Sequence, residues 1–371
     1  MNILIAPDKF KGTLSALEAS QIIAAEIKIP GANPILLPMA DGGEGTARAV
    51  ASHLSMERRT LPASDPLMRP IPGGASYFIN PASREVAIDS STVIGLGLVS
   101  DIPGSPLRRT SFPLGRFISD IMATESPSLL YIGVGGTATT DAGAGMLQAL
   151  GYKFFSGGRM ITEPILPTMF PHIDRAVPPA HLDLPPIKAL ADVSVPLTAP
   201  SSSPSSLTFA SQKGATPADI DYLRSALGHW ASLFKPTGSN FDGAGGGLGH
   251  ALAILGARLT YGAREILAMS HPDTLSPDVV ITGEGSVDEQ TSLGKVVGTM
   301  ADYCDSRHIP CIIIGGRISL DFNSAKVALA ISTQQYPPHG CLNSSKAKSR
   351  LTAASRDACE WIKQNVQLSS I

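Results

Sequence analysis

Short apolar runs, each followed by a glycine- and acid-rich turn and then by helical periodicity, recur along the chain. The first runs from Asn2 to Ala6 and turns over Pro7 to Gly12. A helix follows, with Ser15-x-x-Glu18 as a capping box and Leu14, Leu17, Ile22 and Ile27 along its apolar side. The unit returns at Pro34 to Pro38, with a turn over Ala40 to Thr46 and a helix to about Leu54. It returns again at Leu129 to Gly133, with a turn through Asp141 and a helix ending near Gly151. A last copy spans Asp278 to Thr282, turns through Asp288 and starts a helix at about Lys295. Repeated strand, turn and helix predict an α/β fold built on a mainly parallel sheet. Every such turn follows a strand's carboxyl end, the edge where open α/β sheets bind ligands, so these loops are expected to converge on one crevice.

Two stretches break the pattern, one rich in proline from Pro164 to Pro186 and a Ser/Pro tract from Pro196 to Ser206; both read as irregular loops. The chain then returns to strand at Cys311 to Ile314 and at Val327 to Ile331. It closes in a helix with Leu351, Ala354, Ala358 and Trp361 at helical spacing. There is no internal repeat.

A chain of 371 residues, 43% of them hydrophobic, can bury a large core and should form two domains with a cleft. The net charge of -2 and the lack of long single-sign runs favour neither nucleic acid nor an anionic membrane, which leaves a small-molecule partner. Cys304, Cys311, Cys341 and Cys359 form no CxxC pair, as expected in a reducing cytoplasm. Neither an export signal nor a membrane-spanning run is present.

The turn Asp41-Gly42-Gly43-Glu44-Gly45-Thr46 sets two carboxylates among glycines. Mg²⁺ takes one or two carboxylates together with phosphate oxygens and water, so Asp41 or Glu44 could serve it; the plainer reading is that one of them caps the next helix. Gly133-Val-Gly135-Gly136-Thr137-Ala138 formally fits a dinucleotide fingerprint, but no acidic residue follows within Tyr152 to Thr162. A phosphate-binding loop at a helix N-terminus is the better functional reading, and a tight turn with close helix packing the structural one. Gly283-Glu284-Gly285-Ser286-Val287-Asp288, followed by Gln290, Thr291, Gly294 and Lys295, offers a further acidic turn with a lysine near a helix start. Lys9 and Lys11 sit in a turn directly after a strand, and either could hold phosphate or a carboxylate as a point charge. The stretch Gly243 to Gly249, including Gly245 and Gly246, reads equally as an anion-binding nest or as a hinge. Walker, protein-kinase, G-x-S-x-G and H-E-x-x-H motifs are all absent.

Together these segments resemble the bacterial glycerate kinase family from end to end. The matching stretches are Ala6-Pro7-Asp8 with Lys11, Ala40 to Thr46, Ile132 to Gly151, Gln212-Lys213-Gly214-Ala215, Gly243 to Leu252, and Val280 to Asp288 with Gln290, Gly294 and Lys295. The resemblance implies a Rossmann-like domain from residues 1–62 and 276–371, and a larger α/β domain with a mixed sheet inserted at 63–275. It also implies ATP, Mg²⁺ and D-glycerate, with 2-phosphoglycerate as the product; a homodimer stays open. The expected roles are Asp41 or Asp192 as proton acceptor, Asp288 and Glu44 toward Mg²⁺, and Lys9, Lys11, Lys213 and Lys295 toward phosphate or carboxylate oxygens. Gly135, Gly136, Thr137, Asp141, Gly245 and Gly246 would line the phosphate and substrate loops. Several positions depart from the family pattern: Val195 replaces an asparagine, Ser286 an arginine, Ser211 and Val297 prolines, and Pro200 to Ser206 a glycine-bearing loop. Those departures keep two alternatives open, a kinase for another small hydroxy acid and a non-catalytic nucleotide- or metabolite-binding relative.

Overall fold

The computed structural model describes residues 1–102, 104–288, 294–319, 325–338 and 343–366; Gln290, Thr291 and Cys341 lie outside them. The first segment of the chain holds strands β1 (Asn2–Pro7) and β2 (Asn33–Leu36). The middle holds β3 (Glu57–Leu61), β4 (Ala75–Ile79), β5 (Glu85–Asp89), β6 (Leu129–Gly133), β7 (Lys153–Ser156), β8 (Arg159–Met160), β9 (Arg175–Val177), β10 (Ile187–Ala191) and β11 (Arg258–Tyr261). The last holds β12 (Val279–Val287), β13 (Cys311–Ile318) and β14 (Leu329–Ser332). By its internal contacts the chain divides into two compact units, Met1–Asp41 with Gly262–Ile371, and Gly42–Tyr261.

The first unit is a five-stranded sheet in the order β14-β13-β12-β1-β2, with every pair parallel. Ranked along the chain this is a 2-1-3-4-5 arrangement, which places the reversal of strand order between β1 and β12. Ile3, Leu4, Ile5 and Ala6 are wholly buried, as a central parallel strand requires. One apolar cluster joins Ile3, Ile5, Ile312 and Ile314 to Ile23 of the helix Ala16–Glu26 and to Leu351, Ala354, Ala358 and Ile362 of the helix Ser344–Asn365. The Ser15–Glu18 capping box is present. Of this helix's expected apolar side, Leu14, Ile22 and Ile27 join or pack against the cluster, beside the buried Ala19, Ser20 and Ile23, and only Leu17, 36% exposed, departs. Strand β12 also differs from its expected end at Thr282. It continues through Gly283, Glu284, Gly285 and Ser286, held by β13 in register from Glu284↔Gly315 to Val287↔Ile318.

The second unit is a mixed six-stranded sheet in the order β11-β10-β6-β5-β4-β3, parallel from β5 to β11 and closed by an antiparallel hairpin at one edge. A small antiparallel sheet, β8-β7-β9, stands apart from it. The proline-rich stretch is less irregular than expected, since it contains a 3-10 turn over Pro167–His172 and β9. Trp230, wholly buried, packs between Phe154 and Phe170 at ring distances of 5.3 and 4.7 Å.

The units divide at 41/42 and 261/262, whereas the sequence suggested 62/63 and 275/276. Packing gives the reason. The helix Thr46–His53 lies on β4, β5 and β6, and β3 pairs with β4, while the helix Gly262–Met269 packs on the helix Val296–Asp305.

Candidate active site

In the first unit the reversal of strand order opens at the carboxyl ends of β1 and β12. Asp8 follows β1 immediately, its N–H donating to the Gly283 carbonyl at 2.8 Å, and it is 4% exposed. Met39 donates its N–H to the Pro7 carbonyl, which brings Asp41 to the same edge. Lys9 Nζ lies 3.8 Å from Asp8 Oδ1 and 3.5 Å from Asp41 Oδ1. Burial pushes the Asp8 carboxyl up to about 8, and the nearby charges of Asp41 and Glu284 add to the rise while Lys9 opposes it. The result is an acidic cluster around one lysine, with Asp8 holding its proton at neutral pH. Lys11 is exposed on the same turn, and its backbone N lies 3.2 Å from where a Cβ on Gly285 would stand. Lys295 is the N-cap residue of the helix Val296–Asp305, the helix-start position expected for a phosphate partner. Asp288 follows β12 and is half-buried.

In the second unit the loop 42–45 lies across three neighbouring strand ends. A Cβ on Gly42, whose φ is +114°, would stand 2.4 Å from the Ala191 carbonyl carbon of β10. Gly135, just past β6, donates its N–H to the Gly42 carbonyl at 2.9 Å, and a Cβ there would meet the Gly43 Cα at 2.8 Å. Beyond it, Asp89 at the end of β5 accepts the N–H groups of Gly45 and Ala47 at 2.8 Å each. Neither Asp41 nor Glu44 therefore caps the helix Thr46–His53; Asp89 does, from a distant strand. Close packing of backbone on backbone accounts for Gly42 and Gly135, while Gly133 makes room for side chains, since a Cβ there would stand 2.6 Å from Asp89 Oδ1. Glu44 and Gly136 are exposed at the tip of this frame.

Gly135 also approaches Asp192: its Cβ position lies 3.1 Å from Asp192 Oδ2. Behind it stands a buried cationic group. Lys213 Nζ donates to Thr137 Oγ1 at 3.1 Å and to the Thr139 carbonyl at 2.6 Å, and Thr137 Oγ1 donates to the Gly245 carbonyl at 2.8 Å. Burial lowers the Lys213 ammonium to about 8, against the attraction of Asp141 and Asp192. Arg109, 4% exposed, donates to the carbonyls of Lys213, Gly104 and Ala138. The hydroxyls of Ser90, Thr139 and Thr140 are buried here without hydrogen-bond partners.

Some expected roles change. Asp141 does not present its carboxylate to a phosphate; it is wholly enclosed and accepts from the Ser111 N–H and hydroxyl and from the N–H groups of Gly143 and Gly145. Burial raises its pKa against those donors. Thr137 links two loops rather than standing open. Gly245, Gly246 and Gly247 adopt left-handed φ of 64°, 72° and 90°, so the segment is a wound loop ahead of the true helix. It lies inside the second unit, away from both crossings between units, so the hinge reading loses its basis. Among the described residues no group of three His, Cys, Asp or Glu side chains could hold a metal alone. Asp288 in the first unit and Glu44 in the second each carry a carboxylate, the kind of hard oxygen donor that Mg²⁺ takes. Asp8, Asp89 and Arg109 received no role from sequence. An acid ending an apolar run was a visible signal for Asp8 and Asp89; Arg109 had none, since its partners are distant carbonyls.

Among the departures, Ser286 on β12 is the register partner of Arg317 on β13, and both are exposed. Val195 accepts the Gly243 N–H through its backbone carbonyl, a bond that any residue could make.

No helix among the described residues is long and apolar enough to cross a membrane. The profile of the glycerate kinase family matches residues 3–363. The chain is 35% identical over 337 residues to a glycerate kinase of Bacillus subtilis strain 168, covering 87% of each chain. It is 34% identical over 344 residues to glycerate 2-kinase of Escherichia coli K12, covering 86% of each. A crystal structure described as glycerate kinase 2 from Salmonella typhimurium LT2 superposes with a TM-score of 0.80 at 30% identity, covering 99% of this chain and 100% of that one. Spanned almost end to end by this profile and matched at full length by a solved structure, the chain belongs to the glycerate kinase family.

Proposed function

We propose that the protein transfers the γ-phosphoryl group of ATP to D-glycerate, giving 2-phospho-D-glycerate. The observation that carries this reading is the set of charged side chains at strand carboxyl ends, Asp8, Lys9 and Asp41 in one unit and Asp192 with Lys213 in the other. Phosphoryl transfer asks mainly for positioning and fixed charge, and both clusters supply these. Asp41, held by Lys9, orients the attacking hydroxyl and accepts its proton. Asp8 keeps its own proton near neutrality and donates a hydrogen bond. Lys11 and Lys295 neutralise phosphate oxygens, and Lys213 with Asp192 fixes the loop after β6 against the substrate. Asp288 in the first unit or Glu44 in the second would offer Mg²⁺ a carboxylate oxygen, and the ion, when bound, would supply charge neutralisation at the transferred group.

The test is ADP release with D-glycerate, followed by phosphorus NMR of the product. Asp41→Asn should lower kcat by at least ~100-fold with the fold intact, the scale of one lost general base. Full turnover in that variant would remove Asp41 from the scheme and leave Asp192 as the acceptor. A second reading, a kinase for another small hydroxy acid, is favoured by Ser286. A substrate panel separates the two.

A further inference from the structure

The proposed reaction leaves one well-placed side chain of the second unit unused. Ser91 begins the single helical turn Ser91–Ile94 after β5. Two backbone bonds tie that turn to the loop after β6: the Leu96 N–H donates to the Gly136 carbonyl at 3.0 Å, and the Ala138 N–H to the Ile94 carbonyl at 2.8 Å. Ser91 and Gly136 therefore keep a fixed separation. The place where a Cβ on Gly136 would stand lies 3.8 Å from Ser91 Oγ and 3.9 Å from the Glu44 backbone N. Gly136 thus holds open a gap between a hydroxyl and a backbone N–H, and all three residues belong to one unit.

Both donors are available. Gly136 and Glu44 are exposed, and Ser91 is half-buried with a hydroxyl that reaches solvent, whereas the hydroxyl of its neighbour Ser90 is enclosed. Among the described residues neither Ser91 Oγ nor the Glu44 N–H has a hydrogen-bond partner. The hydroxyls beside them are committed: Thr92 Oγ1 donates to the Asp89 carbonyl and Thr137 Oγ1 to the Gly245 carbonyl, at 2.8 Å each. The chemistry of the two donors selects the ligand. A backbone N–H can only donate, so the ligand presents an acceptor, and two donors side by side suit the paired oxygens of a carboxylate. Charge points the same way. The Lys213 ammonium stands one residue behind, donating to Thr137 Oγ1 at 3.1 Å. No lysine or arginine is among the atoms nearest the gap, and a phosphate dianion calls for such fixed charge in direct contact, so a singly charged carboxylate fits better.

We infer that Ser91 is a specificity residue for the acid group of the substrate: its hydroxyl and the Glu44 N–H bind the carboxylate of a small hydroxy acid over Gly136. The inference rests on the proposed reaction and names the atoms that read the carboxylate. Because the loop that carries Gly136 is fixed to the turn that carries Ser91, the two donors are in place before the ligand arrives, which spares the cost of ordering them on binding.

The probes are D-glycerate and glycolate, with glycerol as the analogue lacking the acid and glycerol phosphate as the phosphate-bearing one, each titrated by calorimetry into the whole protein. Both acids should bind and glycerol should not. Ser91→Ala removes a hydroxyl that the fold does not use, so its thermal unfolding should match the wild type while its affinity for D-glycerate falls about tenfold or more, the worth of one hydrogen bond to a charged group. In turnover, the KM for D-glycerate should rise by the same factor with kcat and the KM for ATP unchanged, the mark of binding lost equally from ground and transition states. Ser91→Thr keeps the hydroxyl and should restore the affinity, a rescue that a merely structural role would not give. Wild-type affinity for D-glycerate in Ser91→Ala, glycerol bound as tightly as D-glycerate, or a loss confined to glycerol phosphate would each overturn the inference. If ADP release with D-glycerate persists at the wild-type KM in Ser91→Ala, the proposed reaction stands and the role of Ser91 falls. If the acids bind through Ser91 and no ADP is released, the proposed reaction falls and the carboxylate site stands. A wild-type protein that binds neither acid overturns both.

Discussion

Asp89 accepts the N–H of Ala47 with one carboxylate oxygen, and that of Gly45 with the other. The helix Thr46–His53 thus takes its cap from β5 instead of from its own loop. Asp89→Ala leaves two donors of the first helical turn without an acceptor in a site that is 7% exposed. A loss of about 2 kcal/mol in urea unfolding is expected, against ~0.5 or less for the exposed Asp221→Ala. Equal stability of the two variants would show that the cap contributes nothing.

Gly42 and Gly12 both have positive φ, 114° and 75°, but only Gly42 has backbone where a Cβ would go. Alanine at Gly12 should cost about 1 kcal/mol for its conformation alone. At Gly42 a further ~1–3 kcal/mol of overpacking against Ala191 is expected. Thermal unfolding of the two variants reads the difference directly.

Two buried groups should leave opposite marks on stability against pH. Asp8 titrates at about 8 when folded against 3.8 when free, so the native state binds the extra proton between those values. Its contribution is full below about pH 4 and is lost as pH rises toward 8; Asp8→Asn should flatten that decline. Lys213 titrates at about 8 folded against 10.5 free, so the unfolded state binds the extra proton and stability rises across that window. Lys213→Met should remove the rise. Wild-type-minus-variant curves from urea unfolding at stepped pH test both, and parallel curves would refute the assignments.

Arg317 stands in register with Ser286, on the neighbouring strand. If that guanidinium contacts the phosphorylated substrate, Arg317→Ser should lower kcat/KM about tenfold or more, and adding Ser286→Arg should restore most of it. An Arg317→Ser enzyme as active as the wild type would end the idea.

Local signals carried well from sequence to structure. The Ser15–Glu18 box, the β6 segment Leu129 to Gly133 and the helix start after Lys295 depend on neighbours within a few residues, and each is where the chain pattern put it. Features set by distant partners were not legible. Glycines that read as a phosphate cradle, Gly133 and Gly135, are small because Asp89, Gly43 and Asp192 crowd them. The acidic turn after Thr282 proved to be strand because β13 supplies hydrogen bonds past the point where the apolar run stops. Asp141 looked available because nothing nearby in sequence announces Ser111 as its donor.

The sheet that sets β1 between β2 and β12 draws its strands from both ends of the chain. During synthesis, β1 leaves the ribosome with only β2 to pair with, and Ile3 to Ala6 stay without their β12 neighbours until residues 279–282 follow. The second unit is complete in sequence by Tyr261 and can fold before then. The carboxyl pushed up to about 8 therefore takes on its unusual proton affinity only after β12 has been made, when the completed sheet buries it and the Gly283 carbonyl takes its N–H.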